Sequence, residues 1–235
     1  MCTVSFVATN SGFVITSNRD EQVLRSAIFP KKYALNNHNL FYPKDPLAGG
    51  TWYGVNQNGT VVILLNGADE KHHHNPPYNR SRGLVVLEVL ATESPIHEWQ
   101  FIDLNHVEPF TIVIFTEKKL YQLRWNGIHK TIENLDVWSK HIWSSATLYD
   151  ADTRKKRANW FFDFTKAKND ISSDDLMNFH ENTHAENTEN GLVINRNNTL
   201  KTLSITQSIV SDNRIILKYK DLLSAKTSET KIDIQ

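Results

Sequence analysis

The chain has almost no cysteine. Its 235 residues hold one, Cys2. An internal disulfide is excluded, and a chain of this length buries enough surface to need no such staple. A lone thiol fits a reducing compartment, so a soluble cytoplasmic protein is expected. Net charge is also absent: 26 Lys and Arg balance 26 Asp and Glu. No global field draws the chain to nucleic acid or to an anionic membrane surface. The densest basic run, Arg154-Lys155-Lys156-Arg157, lies in a helical pattern and reads as a solvated face. Long apolar runs are missing too. Leu84 to Leu87 is ended by Glu88, far short of the ~20 apolar residues a membrane helix needs. Val4 to Ala8 is too short for a signal-peptide core. Repeats, linkers and low-complexity segments are lacking. One domain is expected over residues 1–223, with 224–235 as a polar tail that frays.

What is present is mostly strand chemistry. "CTVSFVAT" and "FVITSN" flank the turn "NSG", a hairpin at the start of the chain. "WYGVNQNGTVVILLN" is a second hairpin around Asn58-Gly59. "PFTIVIFTE", "KLYQLRWNG" and "IHKTIEN" form a meander, and "KTLSITQSIV-SDN-RIILKYKDL" a last hairpin. The stretch "KKYALNNHNLFYPKDPLAGGT" and the polar segment "GADEKHHHNPPYN" read as loops. "SRGLVVLEVLAT" predicts a buried helix, with Gly83 allowing close packing. "SPIHEWQFIDLNH" predicts a second, capped by Ser94. A third follows Thr147 and Asp150, with Ala151, Ala158, Phe161 or Phe162 and Thr165 on its inner face. A fourth begins near Ser172. Hairpins rather than βα units predict antiparallel sheets with helices on their outer faces, an α+β architecture.

Cys2 becomes the first residue if Met1 is removed. Its thiol and a free α-amine, pKa near ~8, then share one residue, so a nucleophile carries its own general base. The first hairpin returns Asn18-Arg19-Asp20-Glu21 beside the chain start. Arg19 supplies a cation that favours thiolate, and Asp20 a carboxylate to orient the amine. In an extended strand these neighbours point to opposite faces, so both reach Cys2 only if the strand ends or bulges there. The bland alternatives are a buried thiol used as a small hydrophobe and a strand end with solvated charges.

"MCT", "NRDE" at 18–21, "LAGGTWYGVNQNGTVVILLN" at 47–66 and "SRG" at 81–83 occur in one order, followed by "WSSATLYD" at 143–150 and "SITQSIV". With these the sequence resembles the Asn-Arg-Asp-Glu family, which includes the transport and Golgi organisation protein 2 group. The resemblance implies an N-terminal nucleophile hydrolase fold: an αββα sandwich, two antiparallel sheets between helix layers. More distantly, the chain is similar to cysteine amidases that cleave bile-salt conjugates and penicillin V. That similarity implies Asn66 as the donor to an oxyanion, where the residues alone also allow a turn residue before Gly67. It sets Ser145 where the amidases carry a second asparagine, and Ser17 where they carry their arginine.

Trp52 and Tyr53 are candidate walls of an acyl pocket, or sheet core. His72-His73-His74 invite a metal reading, but lack a second cysteine and a convergent geometry; polar rim residues are expected, with no metal and no cofactor. Two functions fit. One is a C–N amide hydrolase using Cys2, with Asp20, Arg19, Asn18 and Asn66 in the catalytic set and Trp52, Tyr53 and Ser145 toward the substrate. The other is a carrier on the same fold for acyl-CoA, a lipid or haem, the kinds of ligand to which the family has been linked.

Overall fold

The computed structural model describes residues 3–168 and 170–235. Two seven-stranded antiparallel sheets lie face to face. The first sheet is built on the opening hairpin, β1 (Thr3–Thr9) and β2 (Gly12–Gln22). Its second sheet partner set begins after a long excursion: β3 (Ile28–Leu35), β4 (His38–Lys44), β5 (Tyr53–Asn56) and β6 (Val61–Asn66) lead to helix α1 (Arg82–Leu90) and the short α2 (Pro95–Glu98). Strands β7 (Phe110–Thr116), β8 (Lys119–Trp125) and β9 (Lys130–Leu135) complete that second sheet in simple sequence order, β3 to β9. The chain then returns to the first sheet with β10 (His141–Ser144), crosses its outer face as α3 (Ala151–Lys166) and α4 (Ser173–Asn182), and ends in β11 (Asn195–Arg196), β12 (Leu200–Val210), β13 (Arg214–Asp221) and β14 (Thr227–Asp233). The first sheet runs β10-β1-β2-β12-β13-β14, with β11 beside β12, so β1 lies inside the sheet rather than on its edge.

Period-two alternation assigns each residue of β1 and β2 to a layer. Val4, Phe6 and Ile15 face the opposite sheet and join Tyr53, Ile63, Val113 and Leu217 in the main core. Val7 and Val14 face outward and pack with Phe161, Leu176 and Phe179 of α3 and α4 in a second core. Helix α1 covers the other sheet, burying Val85, Val86, Val89 and Leu90. The architecture is the α+β, two-sheet sandwich expected from the patterning and the resemblance.

Several local expectations change. The stretch read as a loop at 31–51 is largely the β3–β4 hairpin. Asn36 and Asn37 both take positive φ, 48° and 65°, which is the conformation a two-residue hairpin turn requires. The helix expected from Ser94 onward stops after one turn, and Ser94 makes no side-chain cap. Lys130 ends it by donating to the carbonyls of Trp99 (2.8 Å), Gln100 (3.0 Å) and Ile102. The cap of α3 is Asp150 itself, whose carboxylate accepts from the Thr153 backbone N–H at 2.8 Å. The inner face of α3 is Thr153, Arg157, Phe161 and Thr165, and Ala151 is exposed. Residues 224–235 do not fray: β14 pairs with β13 over seven residues, buries Ile232, and Gln235 donates to Gln57. Among the described residues no helix is long and apolar enough to cross a membrane.

Candidate active site at the end of the first hairpin

The register Thr3↔Asn18 brings the end of β2 beside the start of β1. Cys2, the expected nucleophile, lies outside the described residues. The described part of the site therefore begins at Thr3.

Asn18, Arg19 and Asp20 part to alternate faces of the sheet. Asn18 faces the helices and is used up structurally. Its Nδ2 donates to the carbonyls of His180 (3.0 Å) and Leu192 (2.7 Å), and its Oδ1 meets His180 Nδ1 at 2.5 Å. Asp20 faces the helix side as well. It accepts from Tyr149 Oη at 2.6 Å and from Thr202 Oγ1 at 2.5 Å. A bulge in β12 between Thr202 and Ser204 aims Thr202 at this carboxylate. Tyr149 is covered in turn by the Arg157 guanidinium, 3.6 Å above its ring.

Arg157 corrects the reading of the basic run. It is 0% exposed, while Arg154, Lys155 and Lys156 lie toward solvent. Its Nη1 donates to Thr3 Oγ1 at 2.6 Å, its Nε to Asn190 O at 3.2 Å, and its Nη2 to Gly191 O. A buried guanidinium is tolerated only when its donors are met, and here they are met by the residue that follows Cys2 and by the segment after α4. The sequence carried a signal for this: Thr153, Arg157, Phe161 and Thr165 recur every four residues, one helical stripe.

Arg19 faces the space between the sheets. Its guanidinium stacks 4.2 Å over the Trp52 ring, and Nη1 donates to Arg25 O at 2.8 Å. Burial pushes its pKa down from the ordinary arginine value, with Glu21 and Asp45 acting against that. Arg19, Trp52 and Asn66 line one recess together with Arg25, Asp45, Gly50, Thr51, Leu64 and the α1 start at Ser81-Arg82-Gly83. The "GG" and "SRG" motifs meet here. A Cβ on Gly50 would sit 2.4 Å from the Gly83 carbonyl carbon, so the loop reaches the helix only because both residues lack side chains. Arg82 is paired with Glu108 at 2.8 Å, and His72 meets the same carboxylate at 3.0 Å. Burial lowers the Arg82 pKa, and Glu108 opposes it.

Asn66 ends β6 at the rim of this recess, and Gly67 turns the chain with φ 83°. Ser145 is buried and does not line the recess. Its hydroxyl donates to the Asn66 carbonyl at 2.7 Å, so it braces Asn66 through the backbone. Tyr53 is core: its hydroxyl donates to Ile15 O at 3.0 Å, and burial raises its pKa above the ordinary value. The recess thus unites Arg19, Trp52 and Asn66, while Asn18, Asp20, Tyr53 and Ser145 serve other contacts. A larger cavity of about 520 Å³ lies at the opposite, turn end of the sandwich, walled by Phe13, Phe115 and Trp138, and contains none of the expected site residues.

Solved structures share this architecture. The Caenorhabditis elegans N-acylethanolamine-hydrolyzing acid amidase ortholog superposes with TM-score 0.62 and 11% identity, covering 90% of this chain and 94% of that one. A mutant conjugated bile acid hydrolase from Clostridium perfringens superposes with TM-score 0.59 and 14% identity over 99% of this chain and 92% of its own. At such identities the likeness is one of fold. No sequence match is found among curated proteins. Residues 1–223, which include every motif from "MCT" to "SITQSIV", match one family throughout, and the chain belongs to the Transport and Golgi organisation 2 family.

Proposed function

We propose that this protein is an N-terminal nucleophile hydrolase of a C–N amide bond, with Cys2 as nucleophile after removal of Met1. The observation that carries the reading is the placement of Thr3, the residue that follows Cys2. Thr3 is held inside the first sheet by Arg157, with the carboxylate of Asp20 on one face of β2 and the recess of Arg19, Trp52 and Asn66 on the other. The shared fold supports it: the two neighbours named above are, by description, an acid amidase and a hydrolase of conjugated bile acids.

On this reading the Cys2 α-amine takes the thiol proton, and the thiolate attacks the acyl carbon. The carbonyl oxygen becomes an alkoxide, which accepts from the Asn66 amide and a backbone N–H. Collapse of the intermediate breaks the C–N bond, and the amine proton passes to the leaving nitrogen. Water then attacks the thioester carbonyl, giving up one proton to the α-amine and releasing the acid and the free thiol. Asp20, fixed by Tyr149 and Thr202, orients the ammonium; Arg19 faces the substrate.

The test is intact mass after brief iodoacetamide treatment across a pH series, followed by turnover of N-acyl amides by wild type and Cys2→Ala. Loss of Met1, alkylation well below the ordinary thiol pKa of ~8.5 and turnover abolished in Cys2→Ala support the proposal. Retention of Met1, or turnover unchanged in Cys2→Ala, overturns it. Binding of acyl ligands without any turnover would identify a carrier instead.

A further inference from the structure

The recess beside Asn66 contains more donors than acceptors. Arg19 is 2% exposed, yet its Nη2 has no hydrogen-bond acceptor among the described residues. Its nearest carboxylate, Asp45 Oδ2, is 3.9 Å away and already receives Arg25 Nη2 at 2.6 Å. The other Asp45 oxygen accepts the backbone N–H groups of Leu47 and Ala48, at 3.0 and 3.3 Å. Glu21 is engaged with Arg25 and Gln22. The indole Nε1 of Trp52 is also buried without an acceptor, as is Arg25 Nε. The N-terminus of the nine-residue α1 lines the same recess, adding its positive dipole end. A buried donor without an acceptor is costly, and the residues carrying three of them, Arg19, Arg25 and Trp52, line this one recess.

We propose that this recess is a carboxylate subsite, in which Arg19 Nη2 and Trp52 Nε1 donate to an acid group on the bound amide. This deepens the amidase reading by naming the charge its substrate carries. The recess encloses about 70 Å³, roughly the room of two or three waters. That suits a planar carboxylate and excludes a polyphosphate chain. Because Asn66 is on the same rim, the acid lies a few bonds from the scissile carbonyl, as in an N-acyl amino acid.

The experiment is calorimetric titration of the full-length Cys2→Ala protein with N-lauroylglycine and with N-lauroylethanolamine, which differ only in carboxylate against hydroxymethyl. The acid is expected to bind at least tenfold more tightly. Equal binding, or preference for the neutral amide, overturns the subsite. Laurate serves as a third ligand: weaker binding than N-lauroylglycine puts the carboxylate on the amine side, stronger binding puts it on the acyl side, and either retains the subsite. Arg19→Gln is expected to erase the preference. Trp52→Phe, which keeps an aromatic face but removes the N–H with the five-membered ring of the indole, is expected to reduce it should Arg19→Gln not fold. Preference unchanged in the folded variants overturns the assignment to these two donors. Turnover is not needed for any of these readings. A wild-type protein that binds N-lauroylglycine without cleaving it removes the amidase and leaves the carboxylate subsite standing.

Discussion

Acidification should unfasten the end of β2 from α4, and the reason is His180. The ring is fully buried, with Nδ1 2.5 Å from Asn18 Oδ1 and Nε2 2.7 Å from Ser5 Oγ. The Asn18 amide nitrogen faces two backbone carbonyls, so its oxygen is the acceptor. His180 therefore carries its proton on Nδ1 and accepts at Nε2 from the Ser5 hydroxyl. In this neutral form all the partners are satisfied. A second proton adds a charge in a dry site near the Arg157 cation. Burial first, and Arg157 second, push the His180 pKa down to about 3. The unfolded chain takes that proton at about 6.5. Between these values the unfolded state binds more protons, so stability is full above pH 6.5 and falls as pH drops toward 3. The limiting slope is about 1.4 kcal/mol per pH unit, and the integrated loss from pH 7 to 5 is about 2 kcal/mol.

Urea unfolding at pH 7, 6 and 5 measures this directly. With an m-value of about 3 kcal/mol/M, the wild-type midpoint should drop by roughly 0.6 M over the two units. His180→Gln keeps a donor and an acceptor but cannot titrate. It starts less stable, and its midpoint should lose that much less of its value over the same range. Working above pH 5 keeps ordinary carboxylates ionised. If wild type and His180→Gln lose stability in parallel, His180 is not the neutral bridge and the argument fails.

Three further outcomes follow from the same geometry. Asn66→Ala should lower kcat on an N-acyl amide by 10²–10³-fold with little change in KM, the loss of one oxyanion donor; an unchanged kcat removes Asn66 from the site. Arg157→Met strips Thr3, Asn190 and Gly191 of their donor, and should cost about 3 kcal/mol in denaturant unfolding; a loss under 1 kcal/mol contradicts the buried tether. Gly50→Ala forces a methyl group against the Gly83 backbone, and should cost about 3 kcal/mol and weaken ligand binding at the recess; wild-type stability and affinity would show that the loop and α1 separate freely.

How much of this was readable in advance depended on whether the signal was local. Hairpins announce themselves through turn chemistry and alternation, and the meander β7–β8–β9 and the hairpins β1–β2, β5–β6 and β12–β13 lie where those patterns put them. The β3–β4 hairpin was obscured because Asn-Asn, Pro and a bulge between Ile28 and Lys31 read as loop composition. Its register is set by two Asn residues adopting positive φ, which composition alone does not display. The polar β14 was missed for a related reason. Thr227 to Asp233 alternates exposed and half-buried positions on an edge strand, so its only strong apolar cue is Ile232. The one-turn α2 illustrates a tertiary override: residues 99–106 have a helical pattern, but the ammonium of Lys130, some 30 positions later, takes the carbonyls that would have continued the helix.

The site was legible as residue types and illegible as partnerships. Strand alternation alone separates Arg19 from Asp20, and the two side chains do diverge: one stacks on Trp52 between the sheets, the other is held by Tyr149 and Thr202 on the helix side. What alternation does not tell is who receives Asp20, because Tyr149 and Thr202 arrive from 129 and 182 positions away. That separation has a chemical consequence. An adjacent cation and carboxylate pointing the same way would neutralise each other as an ordinary ion pair. Parted by the pleat, Asp20 accepts from the Tyr149 and Thr202 hydroxyls on the helix side, while Arg19 Nη2, on the other side, has no acceptor among the described residues. On the proposed reading Arg19 meets the anionic substrate from one side of the strand end while Asp20 is fixed on the other, and a two-residue Arg-Asp step in β2 is the shortest sequence that parts two such groups.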